Sequence, residues 1–313
     1  MTRGCMFFNF GNKCVARLLT AIYTLRNVYS GPITLALAKN DEANIKLVEE
    51  VKVFNVDILW FDFEHKVKRN IKSILKPHLF TLSPYDTTLM FDGDLIFTKP
   101  IDDLFAWTEE KGFLVTHFSE WYSHGSSMSK RVNRLSKVFN QKQIKAALDK
   151  HPAVNIGVLG YNKQKGGKLL RKWTQVTKDV AGIFIADEIA MQGIYFWYDH
   201  YMANGFYNYS CHFGKDFEKA YIIHYHGNKH SNPKRYSSRL WWGALSSLKD
   251  KYKNIDLHKW IYADPQASAV LNDRDYEQDF LSICKTEWDN LVTKNKAVVE
   301  DDEILSEDGS DEK

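Results

Sequence analysis

Two carboxylates separated by one glycine close an apolar run, Thr88-Leu89-Met90-Phe91-Asp92-Gly93-Asp94, and they are the first residues in this chain whose spacing suggests chemistry. Ionised carboxylates held so close repel one another and lose hydration beside a core unless a cation or donors compensate them. A hard divalent ion with oxygen ligands is the simplest compensation, so Asp92 and Asp94 read as metal ligands. Gly93 would let the backbone turn sharply or approach a ligand. The same residues also suit an ordinary turn after a strand, so the reading leans on partners elsewhere.

Three further clusters supply candidates. Between His224 and His230 the chain places three histidines, Gly227 and Lys229 within seven residues. On a strand His224 and His226 would face the same way, and the turn at Gly227 would present backbone N–H groups and Lys229 to an anion. A neutral imidazole with two carboxylates makes a mixed oxygen and nitrogen site suited to manganese, with positions left for phosphate oxygens. Asn155-Ile156-Gly157-Val158 sets a polar side chain before a glycine at a strand end, which also fits a plain strand boundary. Asp187-Glu188, followed by Gln192, opens a helix, where acids also complement the helix dipole.

The elements that must position these groups follow from periodicity. Cys5 to Phe10 reads as a strand, Cys14 to Tyr29 as a helix, Ile33 to Leu37 as a strand, Asp41 to Val53 as a helix and Val56 to Phe61 as a strand. Lys66 to Leu79 reads as a basic helix before the strand Thr88 to Phe91. Beyond it, Phe113 to Thr116 and Val154 to Tyr161 read as strands, Lys168 to Val176 and Asp187 to Trp197 as helices, and Tyr221 to His226 as a strand. Such alternation implies an α/β fold with a mostly parallel sheet covered on both faces, and ligands in such sheets sit at the carboxyl ends of strands. Ser119 to Arg134, with Trp121 and Tyr122 among serines, reads as a loop able to cover a site.

At 313 residues, 44% hydrophobic and 26% charged, the chain can bury a substantial core. No stretch approaches an uninterrupted membrane span, and there is no basic leader with a small-residue cleavage site, so a soluble, cytoplasmic protein is expected. Cys5, Cys14, Cys211 and Cys284 form no CxxC pair and read as free thiols. The net charge of +3 is uneven: Glu300 to Lys313 holds eight acids and one base, or −7, leaving +10 on residues 1–299. A basic body favours phosphate-bearing ligands and tolerates a polyanionic acceptor, while the acidic end reads as disordered.

Together, Thr88 to Asp94, Asn155-x-Gly157-Val158 and His224-x-x-Gly227 resemble the nucleotide-sugar glycosyltransferases of the GT-A fold, nearest in pattern to family 8 and related nucleotide-diphospho-sugar transferases. The resemblance runs from Cys5 to Lys229. It implies a Rossmann-like GT-A domain over 1–240, a helical extension over 241–298 packed on the same domain, and an acidic disordered tail over 299–313. By the same resemblance Asp92 would touch ribose and metal, Asp94 would be the principal metal ligand, and His224 the third. Lys229 and Gly227 would bind the diphosphate, Asn155 and Gly157 would lie beside the donor sugar, and Asp187 with Glu188 would hold sugar hydroxyls or assist transfer. Family 8 places its lysine three residues after the glycine, where this chain has His230, so Lys229 departs from the pattern. Lys76 stands where similar transferases carry a base facing phosphate, although a solvated helix charge fits too, and Asp62 could contact the nucleobase.

The resulting expectation is an Mn²⁺- or Mg²⁺-dependent transferase moving a sugar from a nucleotide sugar, taken as UDP-linked, to a hydroxyl of a glycan, protein or small molecule. Asp187 or Glu188 would act as a base with inversion, or position the sugar while the donor phosphate takes the proton with retention. The alternatives are glycosylation of nucleic acid or a modified base, a non-catalytic sugar-nucleotide binding module, and a metal-dependent phosphohydrolase. Aromatic residues at 14% of the chain, including Trp121, Tyr122, Trp241 and Trp242, could offer faces for sugar stacking, although most are expected in the core.

Overall fold

The computed structural model describes residues 1–9, 11–39, 41–62, 72–117, 136, 139–150, 153–180, 185–226, 232–271 and 279–307. They divide into two units that interleave along the chain. One comprises Met1–Gly11, Gly31–Gly93 and Ile101–Asn208, the other Asn12–Ser30, Asp94–Pro100 and Tyr209–Lys313.

The first unit is built on a seven-stranded sheet. The apolar runs become β1 (Arg3–Asn9), β2 (Ile33–Ala38), β3 (Asp57–Phe61) and β4 (Thr87–Phe91), which lie parallel in the order β3-β2-β1-β4. Every residue of β2 and β4 is buried, the pattern of strands covered on both faces, which is why they carry continuous apolar runs rather than an alternation. After β5 (Leu95–Phe97), which belongs to the second unit, β6 (Phe113–His117), β7 (Val154–Asn162) and β8 (Tyr201–Ala203) extend the sheet to β4-β7-β6-β8. β7 is antiparallel to both β4 and β6, whereas β8 is parallel to β6.

With α1 (Val15–Arg26) in the second unit, the first holds α2 (Glu42–Val51), α3 (Lys72–Leu82), α4 (Asp102–Lys111), α5 (Gln141–Lys150), α6 (Gly167–Asp179) and α7 (Ala186–Ile194). Asp41 caps α2 by accepting the Ala43 N–H at 3.0 Å, and its other oxygen takes the Gly11 N–H at 2.8 Å. Gly11, at φ +66°, supplies the left-handed turn that ends the first strand segment. The core of this unit packs Phe80, Phe113, Tyr161 and Trp173 as a tilted aromatic cluster.

The second unit carries a small sheet in the order β5-β10-β9, formed with β9 (Tyr209–Ser210) and β10 (Ile222–His224). β10 pairs antiparallel with β5 and parallel with β9. α1 is buried on every side from Val15 to Leu25, and its interior hydroxyls bond back to the preceding turn, Thr20 to the Ala16 carbonyl at 2.8 Å and Thr24 to that of Thr20 at 3.0 Å. α8 (Tyr236–Lys251), α9 (Leu257–Ala263), α10 (Pro265–Leu271) and α11 (Asp279–Glu307) complete the unit. Gly243 lets α8 and α11 approach closely, since a Cβ there would lie 2.1 Å from the Cys284 carbonyl oxygen. A buried ion pair, Arg17 Nε to Asp264 at 2.9 Å, fixes α1 against the segment before α10.

Several sequence expectations change. The strand expected over Tyr221 to His226 stops at His224, and β5, β8 and β9 emerge where the sequence shows no strand signal, because two- and three-residue strands carry too few positions for periodicity. Trp241 and Trp242 are 0% and 1% exposed, so they are core residues of the second unit and present no face to a sugar. Helix α11 spans Asp279–Glu307. The loop expected over Ser119 to Arg134, and Lys66 to Ile71 of the expected basic helix, lie outside the described residues, as do Gly227, Lys229 and His230. All four cysteines are free, with Cys14 exposed and the others buried. Among the described residues no helix is long and apolar enough to cross a membrane.

Candidate metal site

Asp92 leaves the end of β4, Gly93 and Asp94 form the turn, and β5 begins at Leu95. Gly93 is not in the left-handed region, where the described glycines are Gly11 and Gly112, so the turn does not require glycine for its dihedral angle. In the first unit Asp92 is locked by two neighbours. Its N–H donates to the Gly157 carbonyl at 2.9 Å, and its Oδ1 lies 2.7 Å from Lys76 Nζ. Lys76 is 7% exposed and also donates to the Ile156 carbonyl at 3.0 Å, so it is a buried partner of Asp92 and not a solvated helix charge. Burial alone would lower the Lys76 pKa, but Asp92, Asp187 and Glu188 together raise it, and the ammonium stays charged.

Asp187 and Glu188 open α7 and are 8% and 7% exposed. Burial pushes the Asp187 carboxyl up to about 7, with Glu188 and Asp92 pushing the same way against the pull of Lys76 and the Glu188 N–H. Glu188 accepts from Asn155 Nδ2 at 3.0 Å, and Asn155 Oδ1 in turn accepts from Gly157 N–H at 2.8 Å and Asn208 Nδ2 at 2.9 Å. Asn208 also reaches Thr116 Oγ1 at 2.7 Å, which donates to the Asn155 carbonyl at 2.9 Å. Lys76, Asp92, Asn155, Gly157, Asp187 and Glu188, scattered over the sequence, thus share one polar cluster at the end of β4 and the start of β7. Gln192 instead accepts the Val154 N–H at 2.9 Å and anchors the start of β7. The residue before this helix, Ile185, holds φ +54°, a costly conformation for a β-branched side chain and of a kind that gathers at functional sites.

In the second unit Asp94 Oδ1 lies 3.2 Å from His224 Nε2, and the Asp94 carbonyl accepts the Tyr225 N–H at 3.0 Å. His224 is 3% exposed, at the end of β10. His226 comes off a left-handed turn at φ +49° and sets its ring 4.1 Å from that of His224, with its Nε2 3.1 Å from Ser210 Oγ. His212 stacks beyond it at 6.0 Å. The two histidines therefore do lie together, but through a turn and not along one strand.

One ligand atom each from Asp92, Asp94 and His224 lies within 4.8 Å of the other two. Two carboxylate oxygens and one imidazole nitrogen suit a hard or borderline dication such as Mn²⁺ or Mg²⁺, with room in its coordination sphere for further oxygens. Asp62 stands apart: it is 82% exposed at the end of β3 and pairs with Lys39 Nζ at 3.0 Å. Sequence reading passed over Asn208, Ser210 and Thr116. The first two end a 3-10 turn and a two-residue strand that carry no local motif, and only the polar partners they meet in the fold single them out.

No protein-family model and no curated protein matches the chain. Solved structures do. The apo structure of the bifunctional glycosyltransferase WbbM aligns with a TM-score of 0.57 at 14% identity, over 84% of this chain and 52% of that one, so this chain spans about half the length of that protein. The galactosyltransferase LgtC, solved with donor and acceptor sugar analogues, aligns with a TM-score of 0.56 at 13% identity, over 83% of this chain and 99% of that one. At such identities the likeness speaks for architecture, and the chain has the GT-A type fold of these glycosyltransferases.

Proposed function

We propose that this protein is a metal-dependent glycosyltransferase that moves a sugar from a nucleotide-sugar donor, UDP-linked, to an acceptor hydroxyl. The observation that carries the reading is the Asp92, Asp94 and His224 ligand set on a glycosyltransferase fold. These three side chains would hold Mn²⁺ or Mg²⁺. When bound, such an ion supplies positive charge to the departing nucleoside diphosphate.

The protein's own groups then divide the remaining work. Lys76 fixes one oxygen of Asp92, which orients the carboxylate before a ligand arrives. Asn155 and Gly157 border the donor sugar, and Glu188, held by Asn155, offers an acceptor oxygen to a sugar hydroxyl. Asp187 keeps its proton up to about 7, so near neutrality it can either donate or accept a hydrogen bond, a property suited to a residue that handles a hydroxyl proton. Lys229 and Gly227, which lie outside the described residues, are proposed for the diphosphate by the family resemblance.

The test is release of nucleoside diphosphate from a panel of nucleotide sugars with Mn²⁺, Mg²⁺ or EDTA, with and without glycan, protein and small-molecule hydroxyl acceptors. Release from a UDP-sugar that needs the metal is expected. Binding of donor without turnover on any acceptor would instead favour the non-catalytic module, and free inorganic phosphate the hydrolase.

A further inference from the structure

In the first unit α6 carries a charged stripe along its outer side. At helical spacing Lys168, Arg171, Lys172, Gln175 and Lys178 lie opposite Leu169, Leu170, Trp173 and Val176, which are buried in the core. Lys172 is half-buried and the other four polar residues are exposed. Like charges three and four residues apart repel, so Lys168, Arg171 and Lys172 carry a mutual cost that an anion relieves. Asp179, the last residue of α6, is the one acid on the stripe, and among the described residues none of the four cations forms an ion pair. The helices packed on α6 add no exposed acid: α3 has none, and Asp187 and Glu188 of α7 are buried. Glu109 and Glu110, whose carbonyls accept from Lys165 just before α6, pair with Arg3 and Lys111. The stripe extends over 13 residues, or about 20 Å, from the Asn162 end of β7 towards Asp187, whose carbonyl takes the Trp173 indole N–H at 2.8 Å.

Lys172 also lines a hollow of about 190 Å³ with Phe139, Gln143, Ile194, Trp197 and Tyr198. Trp197 is 56% exposed, with its ring 5.0 Å from that of Phe196. Gln143 is set by a reciprocal cap at the start of α5: its Oε1 accepts the Asn140 N–H at 3.0 Å and its own N–H donates to Asn140 Oδ1 at 3.0 Å, which leaves Nε2 as a donor. The hollow is smaller than whole small-molecule sites of about 300–1,000 Å³ and suits a single ring.

We infer that this face binds an acidic polysaccharide, a linear glycan whose carboxylate or sulfate groups meet the α6 cations while one ring lies on Trp197. The apolar C–H face of a sugar covers an indole and keeps its hydroxyls at the rim, where Gln143 and Lys172 can donate to them. A bilayer surface would call for an apolar helix face to insert, and that of α6 is already buried in the core. A nucleic acid strand stacks several bases in a row, whereas among the described residues of the hollow Trp197 alone is exposed. Binding here involves the first unit alone and needs neither metal nor donor, so its failure would leave the transferase reading untouched.

The experiment is calorimetric titration of the full chain, without metal or donor, with oligogalacturonate, chondroitin sulfate and, as neutral control, dextran. Saturable binding of at least one acidic glycan, weakened by added salt and absent with dextran, is expected, and the tighter of the two names the acidic group. The variant Lys168→Gln/Arg171→Gln/Lys172→Gln/Lys178→Gln should weaken that binding about tenfold or more. The same change at Lys249, Lys253, Lys294 and Lys296, exposed cations of the second unit, should alter it less than about twofold. Trp197→Ala should weaken the acidic glycan about tenfold and spare inorganic polyphosphate, which has no ring. Thermal unfolding checks that each variant is folded, as changes at exposed positions allow. Equal affinity for dextran, binding that survives the α6 variant, a Trp197→Ala loss shared by polyphosphate, tighter binding of single-stranded DNA or phosphatidylglycerol vesicles, or no saturation overturns the inference.

Discussion

The two halves of the candidate site hold their charge in different ways. In the first unit three buried or half-buried acids, Asp92, Asp187 and Glu188, share one ammonium, Lys76, and a web of amides from Asn155 and Asn208. Burial, with Glu188 and Asp92 close by, keeps Asp187 neutral up to about 7. In the second unit Asp94 lies beside His224, whose ring packs against that of His226, itself in contact with Ser210. A carboxylate and an imidazole nitrogen set side by side are donors that a dication can share. On the proposed function, structure and proton handling belong to one cluster, and cation binding to the other together with Asp92.

If that division is right, Asp94→Asn should be the most damaging change to activity. A fall of about 10³-fold in metal-dependent diphosphate release is expected, the size of losing a principal charge-stabilising contact. Its melting temperature without metal should stay near that of the parent, and the stabilisation that Mn²⁺ gives the parent should vanish. Retention of that Mn²⁺ shift in the variant would remove Asp94 from the ligand set.

Lys76→Met should act chiefly on folding. It strands Asp92 among other acids, and breaking a buried pair from one side costs about 3–5 kcal/mol. Urea denaturation would read this as a lower midpoint at pH 8 that recovers partly at pH 5, where Asp187 holds its proton. An unchanged midpoint would mean that Lys76 is held by solvent in practice.

Asp187 predicts a smaller effect with a definite sign. The folded carboxyl keeps its proton to about 7 from an ordinary value of 3.8, so between those limits the folded state binds more protons than the unfolded one. Stability from this group is therefore greatest below about 4 and declines as pH rises through 7, by a few kcal/mol in all. Asp187→Asn should flatten the decline and leave the variant more stable than the parent at pH 8 but not at pH 4. A parent whose stability rises across that range while the variant's stays flat would contradict the account.

The smallest expected effect is on the second unit's support. Ser210→Ala deletes the contact to His226 Nε2 and should cost about 1 kcal/mol, with Mn²⁺ affinity weakened at most about tenfold. A loss as large as that of Asp94→Asn would promote the His226 and Ser210 pair from support to ligand.

Much of this was legible beforehand. Continuous apolar runs bounded by turns announced β1, β2, β4 and β7, because strands buried on both faces leave little freedom in residue type. The Asp-Gly-Asp motif could be read because its two carboxylates are neighbours in sequence and their repulsion demands an explanation at once. Asn208 and Ser210 could not, since an isolated asparagine or serine after a turn looks like any surface polar residue. Lys76 stood between the two cases: its type was visible, but a lysine on a helix is ordinarily solvated, and only the fold shows it buried and bonded to the Ile156 carbonyl.

By itself the sequence determined an α/β chain with an acid pair at a buried strand end and a histidine-rich segment far downstream, because local periodicity and short-range charge repulsion are properties of neighbouring residues. Only the tertiary structure decided that β10 ends at His224 against Asp94, that Lys76 answers Asp92, and that Asp187 holds its proton. Those outcomes depend on burial and on distances between residues tens to hundreds of positions apart, and neither quantity is written in the order of the amino acids.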